Sequence, residues 1–153
     1  MPLHISAKVD YAMRALVELA ASDAPLLRTE YLAQSQGIPA SFLERILSEL
    51  RRAGIVASQR GAHGGYRLDR LASEISVADV FRAVDGPLAE VRGDRPEASS
   101  YVGPAEGLRE VWVAVRASLR SVLEEVSIEQ IARNELPESV RELTREPGAW
   151  LRR

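Results

Sequence analysis

The chain has 153 residues, 46% of them hydrophobic, with a formal net charge of −2 and a pI near 5.8. That hydrophobic share supports a globular core and excludes a chain disordered throughout, and apolar runs of a few residues exclude a membrane span. The absence of cysteine removes disulfides, thiol switches, cysteine nucleophiles and cysteine-ligated zinc or iron–sulfur centres. The start, Met1-Pro2-Leu3-His4, lacks the charged-then-apolar layout of a secretory signal, so a cytoplasmic protein is expected.

Taken in order, Ser6 is placed to cap a helix reaching about Ala21, with Val9, Ala12, Met13, Leu16, Leu19 and Ala20 on one side. Ser22-Asp23-Ala24-Pro25 breaks it. Thr29 is expected to cap a short helix that Gly37 closes. Pro39 then keeps Ile38 out of helical geometry just before Ser41. Ser41 and Glu44 have the spacing of a capping box, and Phe42, Leu43, Ile46, Leu47 and Leu50 form one apolar face behind it. Gly54 ends this second helix of a helix-turn-helix. Residues 55–60 read as a strand, Gly61 to Gly65 as a turn, and Tyr66-Arg67-Leu68 as the returning strand of a wing.

Between Arg45 and Arg70 lie arginines 45, 51, 52, 60, 67 and 70, against the acids Glu49 and Asp69. From Glu74 onward acids outnumber bases. Positive charge is thus gathered at the expected reading end of a winged helix-turn-helix, and double-stranded DNA is the expected partner.

Beyond the wing, Ser76 caps a helix with Asp79 in its first turn and Val77, Val80, Phe81 and Val84 facing inward, stopped by Asp85-Gly86-Pro87. Residues 88–103 carry no period. Pro104 is expected to open the longest helix, whose stripe is Leu108, Val111, Trp112, Val115, Leu119, Val122, Leu123 and Val126. Such a helix is roughly 30–35 Å long. The winged domain is too small to cover it, whereas a second copy would, so a homodimer is expected through this stripe. Ser127 with Gln130 forms a further capping box, opening a helix to about Asn134. After Pro137, Glu138–Arg145 reads as a last helix before Pro147-Gly148 and Trp150.

Several of these segments resemble the IscR/NsrR/CymR-type regulators, sometimes called the Rrf-two family. The resemblance is carried by residues 6–21, 37–44, 50–56 and 60–68, and by Ile75–Val80 and Val84–Pro87. It covers about the first 87 residues closely and the long helix by layout. It implies a mainly α fold with a small β-wing. A winged helix-turn-helix DNA-binding domain (1–87) would be followed by an irregular linker (88–103), then a dimerisation helix with a helical tail (104–153). It further implies a dimeric transcription regulator. By motif position Ser41, Glu44 and Arg45 would face the major groove and Arg60 would enter the minor groove, roles that suit a guanidinium fork and a carboxylate.

Many members hold an iron–sulfur cluster on three cysteines between the winged domain and the long helix. This chain supplies none there, and Asp94, Glu97 and Glu106 are hard oxygen ligands, poor substitutes for thiolates. Lys8, where some relatives supply an extra ligand, is a cation. The expectation is a protein without cluster, metal or other cofactor, governed by a small molecule or a protein partner.

Each assignment has a plainer rival. Glu44 either reads a base or folds back onto the Ser41 amide. Arg45 and Arg60 are groove readers or solvated charges. Arg51 and Arg52 touch phosphates or pair with acids. His63 contacts phosphate or merely turns the wing. Thr29 and Tyr11 are phosphate donors, or a cap and a half-buried aromatic. Trp112, Tyr101, Phe81 and Trp150 line an effector pocket or simply pack. A metal pair of His4 and His63 lacks neighbouring ligands. Two functions follow: a sequence-specific DNA-binding regulator acting as a repressor on a near-palindromic operator, and a winged interaction module that has lost specific DNA binding. No cysteine, two isolated histidines and no phosphate loop leave little catalytic machinery, so an enzyme is not expected.

Overall fold

In the computed structural model, which describes residues 3–153, the protein is mostly helical with one small antiparallel sheet. Helices α1 (Ala7–Ala21), α2 (Thr29–Gln36) and α3 (Ala40–Arg52) precede strands β1 (Val56–Gln59) and β2 (Gly65–Leu68). Helices α4 (Val77–Val84), α5 (Leu108–Leu123), α6 (Ile128–Ala132) and α7 (Glu138–Arg145) complete the chain. Single 3-10 turns stand at Ala72–Glu74, Pro96–Ala98, Gly103–Ala105 and Pro147–Trp150. Among the described residues no helix is long and apolar enough to cross a membrane.

Local chemistry sets most of these boundaries. Ser6 caps α1 by accepting from the Val9 amide at 3.1 Å. Gly37 closes α2 at φ +64, a left-handed conformation that suits glycine. Ser76 and Asp79 form a reciprocal capping box on α4, as Ser127 and Gln130 do on α6. Replacing Ser76 by alanine leaves the Asp79 amide without its side-chain partner. Urea denaturation is expected to show a loss of about 1 kcal/mol with an unchanged m-value.

Three expected helix starts are corrected. Arg28, not Thr29, is the N-cap of α2, and Thr29 is its first helical residue, with no side-chain cap. Helix α3 begins at Ala40 with Pro39 as N-cap, so the Ser41–Glu44 capping box does not form. Proline at φ −59 already has the geometry that leads into the helix, which puts Ser41 inside the first turn, past the capping position. Pro104 lies in a 3-10 turn, and α5 runs only from Leu108 to Leu123. At 16 residues it is about 24 Å long rather than 30–35 Å.

The core gathers Leu16, Leu32, Leu43, Ile46, Leu47, Leu50, Ile55 and Ile75, all essentially without solvent exposure. Phe42 departs from the expected apolar face of α3, standing 47% exposed with its ring edge-on to Tyr11. Ala15 and Ala78, small enough for close helix approach, are buried instead. Val126 lies beyond α5, where its carbonyl accepts from the Val77 amide at 2.9 Å. The Ile128 amide in turn donates to the Ile75 carbonyl at 2.9 Å, so Ser76 and Ser127 form an antiparallel bridge. Ile128 thereby enters the core alongside α1.

Candidate nucleic-acid interface

Helices α2 and α3 meet across Gly37-Ile38-Pro39, and buried Ile38 and Leu43 fix the second helix against the first. Leu43, Ile46, Leu47 and Leu50 point inward, which leaves Ser41, Glu44 and Arg45 exposed on the opposite side of α3. With no cap to form, the Glu44 carboxylate stays at the surface, so of its two expected roles only the outward-facing one keeps its geometry. Arg51 and Arg52 occupy the last turn, exposed, where basic groups oppose the helix dipole favourably.

The wing is a four-residue pairing with Val56 opposite Leu68, Ala57 opposite Arg67, Ser58 opposite Tyr66 and Gln59 opposite Gly65. Tyr66 also exchanges backbone hydrogen bonds with Leu27, 2.7 and 2.9 Å long, which fastens the wing to the start of α2. The wing tip is exposed at Arg60 and His63. Gly64 is needed there because a Cβ would stand 2.1 Å from the Gln59 carbonyl oxygen. Close backbone approach, not a left-handed conformation, therefore requires the glycine.

A cleft forms between the wing and the start of α2, lined by Arg28, Thr29, Arg51, Ser58 and Arg60 among others. Arg51 donates to the Ser58 hydroxyl at 3.1 Å, joining α3 to the wing. The structure thus brings Thr29, Arg51 and Arg60 together and adds Arg28. That arginine lies outside the expected basic run, and the sequence marks it only by its position just ahead of a helix start. Exposed Tyr31 and Phe42 were likewise not singled out as surface residues. Tyr11 is half-buried, held between Phe42 and the Arg14 guanidinium, which lies 4.8 Å from its ring centre.

Lys8 bridges three elements: its Nζ donates to the Val84 carbonyl at 2.7 Å and pairs with Glu49 of α3 at 2.9 Å. Ser6 donates to the Asp85 carboxylate at 2.5 Å beside it. Of the four aromatics considered for a pocket, Tyr101 and Trp112 line one cavity of about 640 Å³ with Leu108 and Val115. Phe81 instead packs on the core, and Trp150 is exposed with its indole donating to the Thr144 carbonyl. Helix α5 has no buried residue: Val111 is half exposed and Trp112, Val115, Leu119, Val122 and Leu123 are partly covered.

Asp94, Glu97 and Glu106 do not assemble as a ligand set. Glu97 is engaged by Arg116 at 2.5 Å, and no group of three or more potential metal ligands occurs among the described residues.

A family model described as Rrf2, iron-dependent transcriptional regulator, matches residues 5–134. An HTH-type transcriptional regulator of Mycobacterium tuberculosis is 49% identical over 146 residues, covering 92% of this chain and 88% of that protein. The solved structure of CymR, the global cysteine regulator of Bacillus subtilis, superposes with a TM-score of 0.72 at 32% identity, over 86% of this chain and 97% of the other. An IscR from T. potens superposes with a TM-score of 0.68 at 28% identity, over 89% and 90% of the two chains.

Proposed function

This chain belongs to the Rrf2 family of transcriptional regulators, and on that premise we propose that it binds DNA sequence-specifically as a homodimer on a near-palindromic operator, acting as a repressor. The observation that carries this reading is the joint exposure of Ser41, Glu44 and Arg45 on α3 beside the arginine-lined cleft and Arg60. Arg45 forks onto a guanine edge, Glu44 accepts from cytosine, and Arg60 enters a narrow minor groove. Arg28, Thr29, Arg51, Arg52, His63 and Tyr11 hold the phosphates that set the register. Residues 1–87 supply the reading surface, 88–103 connect it, and 104–153 carry the dimer helix and tail.

The family description speaks of iron, but the donor set here does not fit an iron–sulfur centre. There is no thiol, and the Glu97 carboxylate is held by a guanidinium. Control by a small molecule or a protein partner is the reading that remains.

Selection of bound sites from random duplexes tests the function, with two half-sites about one helical turn, roughly 34 Å, apart as the expected product. On the selected site, log affinity is expected to fall with log salt at a slope of about −5. That slope follows if Arg28, Arg51 and Arg52 of each protomer each release one phosphate counterion. A salt-insensitive interaction would point to a protein-docking module instead.

A further inference from the structure

Between α4, the segment after it and α5 lies a cavity of about 710 Å³. Four guanidinium groups line it: Arg82 from α4, Arg95 from the connecting segment, and Arg116 and Arg120 one turn apart on α5. Their pairing is thin. Arg116, its side chain only 14% exposed, contacts Glu97 at 2.5 Å. Arg82 and Arg120 share a single oxygen, Glu124 Oε1, at 2.5 and 3.9 Å. Arg82 also stands 4.0 Å from Asp79. Arg95 has no close ion pair among the described residues, although, with a backbone hydrogen bond and Arg116, its charge helps hold the Glu97 carboxyl below its usual range, and Glu90 and Asp94 on the same lining pair with none of the four. A guanidinium presents five N–H donors in a planar fork that matches a carboxylate or phosphate two bonds at a time. Net charge in the cavity is close to balanced, so the decisive quantity is the donor surplus.

We propose that this cavity is a binding site for a small polyanion, a molecule with two or more carboxylate or phosphoryl groups. Arg95 and Arg116 hold one group, and Arg82 and Arg120 the other. The lining includes Arg82 and Gly86, which flank Val84 and Asp85, and these two are tied to Lys8 and Ser6. Lys8 in turn holds Glu49 on the helix that carries Arg45. Occupancy therefore acts on α3 through Lys8. This second half rests on the DNA-reading function, whereas ligand binding itself does not.

Citrate and pyrophosphate, titrated into the full-length protein without DNA at constant ionic strength, separate carboxylate from phosphoryl preference. At least one is expected to raise the thermal midpoint by several degrees beyond a sodium chloride control. The Arg95→Gln/Arg116→Gln variant is expected to lose at least tenfold in affinity for that anion while keeping its ligand-free affinity for the selected operator. Because Arg116 is mostly covered, Arg95→Gln alone, at an exposed position, is the second variant and is expected to weaken binding in the same direction. No rise with either anion, or an equal rise in both variants, would overturn the site. A bound anion that leaves operator affinity unchanged in wild type would overturn the link through Lys8. Absence of specific DNA binding in the ligand-free protein would instead overturn the function, leaving the site standing.

Discussion

Changing Arg45 and Arg60 together to alanine is expected to lower affinity for the selected operator by about a hundredfold or more, with the fold and the proposed dimer intact. Both side chains are exposed, and neither has an ion pair or hydrogen bond among the described residues, so their removal uncovers no buried group. A good guanidinium contact with a base edge discriminates by about 1–3 kcal/mol, and a symmetric dimer loses each contact twice. Fluorescence anisotropy on the operator and on a scrambled duplex measures the effect. The specific complex is expected to fall toward the non-specific one, which phosphate contacts sustain. Unchanged operator affinity would remove both residues from the reading surface.

The second large effect is expected at Val111. A 16-residue helix with no buried residue, carrying Val111, Trp112, Val115, Leu119 and Val122 along its length, is poorly accounted for by an isolated protomer. If a second α5 covers it, Val111→Glu places a carboxylate in an apolar contact, where an unpaired charge costs several kcal/mol per protomer. The dissociation constant of the dimer should then rise by about two orders of magnitude or more. Sedimentation velocity is expected to report a single species near 16.8 kDa in place of one twice that mass. Operator affinity should fall with it, since one half-site holds a protomer far less tightly than two joined ones. A variant that still sediments as a dimer would move the interface away from this helix.

Much of this architecture was legible because short-range chemistry agrees with the tertiary structure. Ser6, Ser76 and Ser127 cap where their spacing says, and Leu43, Ile46, Leu47 and Leu50 are buried as their period requires. Where the sequence misled, a second force outweighed the local one. Ser41 and Glu44 have the capping spacing, but Pro39 starts the helix earlier. Phe42 continues the apolar period of α3, yet it sits at the edge of that stripe, half exposed, with its ring edge-on to Tyr11. Val126 continues the period of α5, yet it lies beyond the helix, with its carbonyl taken by the amide of Val77, the first residue of α4. Of the candidate interface, Arg45 and Arg60 could be named from their places in a motif. Arg28 could not, because its proximity to Arg60 arises from the Leu27–Tyr66 pairing, between segments far apart in the chain.

The Ser76–Ser127 bridge has a consequence for any attempt to divide the molecule. Ile128 is fully buried in the core against α1, so the amino-terminal half alone would face water with an unfilled socket in its interior. Tail and head share one structural keystone, and shortening the protein from its carboxyl end past that point would loosen the end that lies farthest away in sequence.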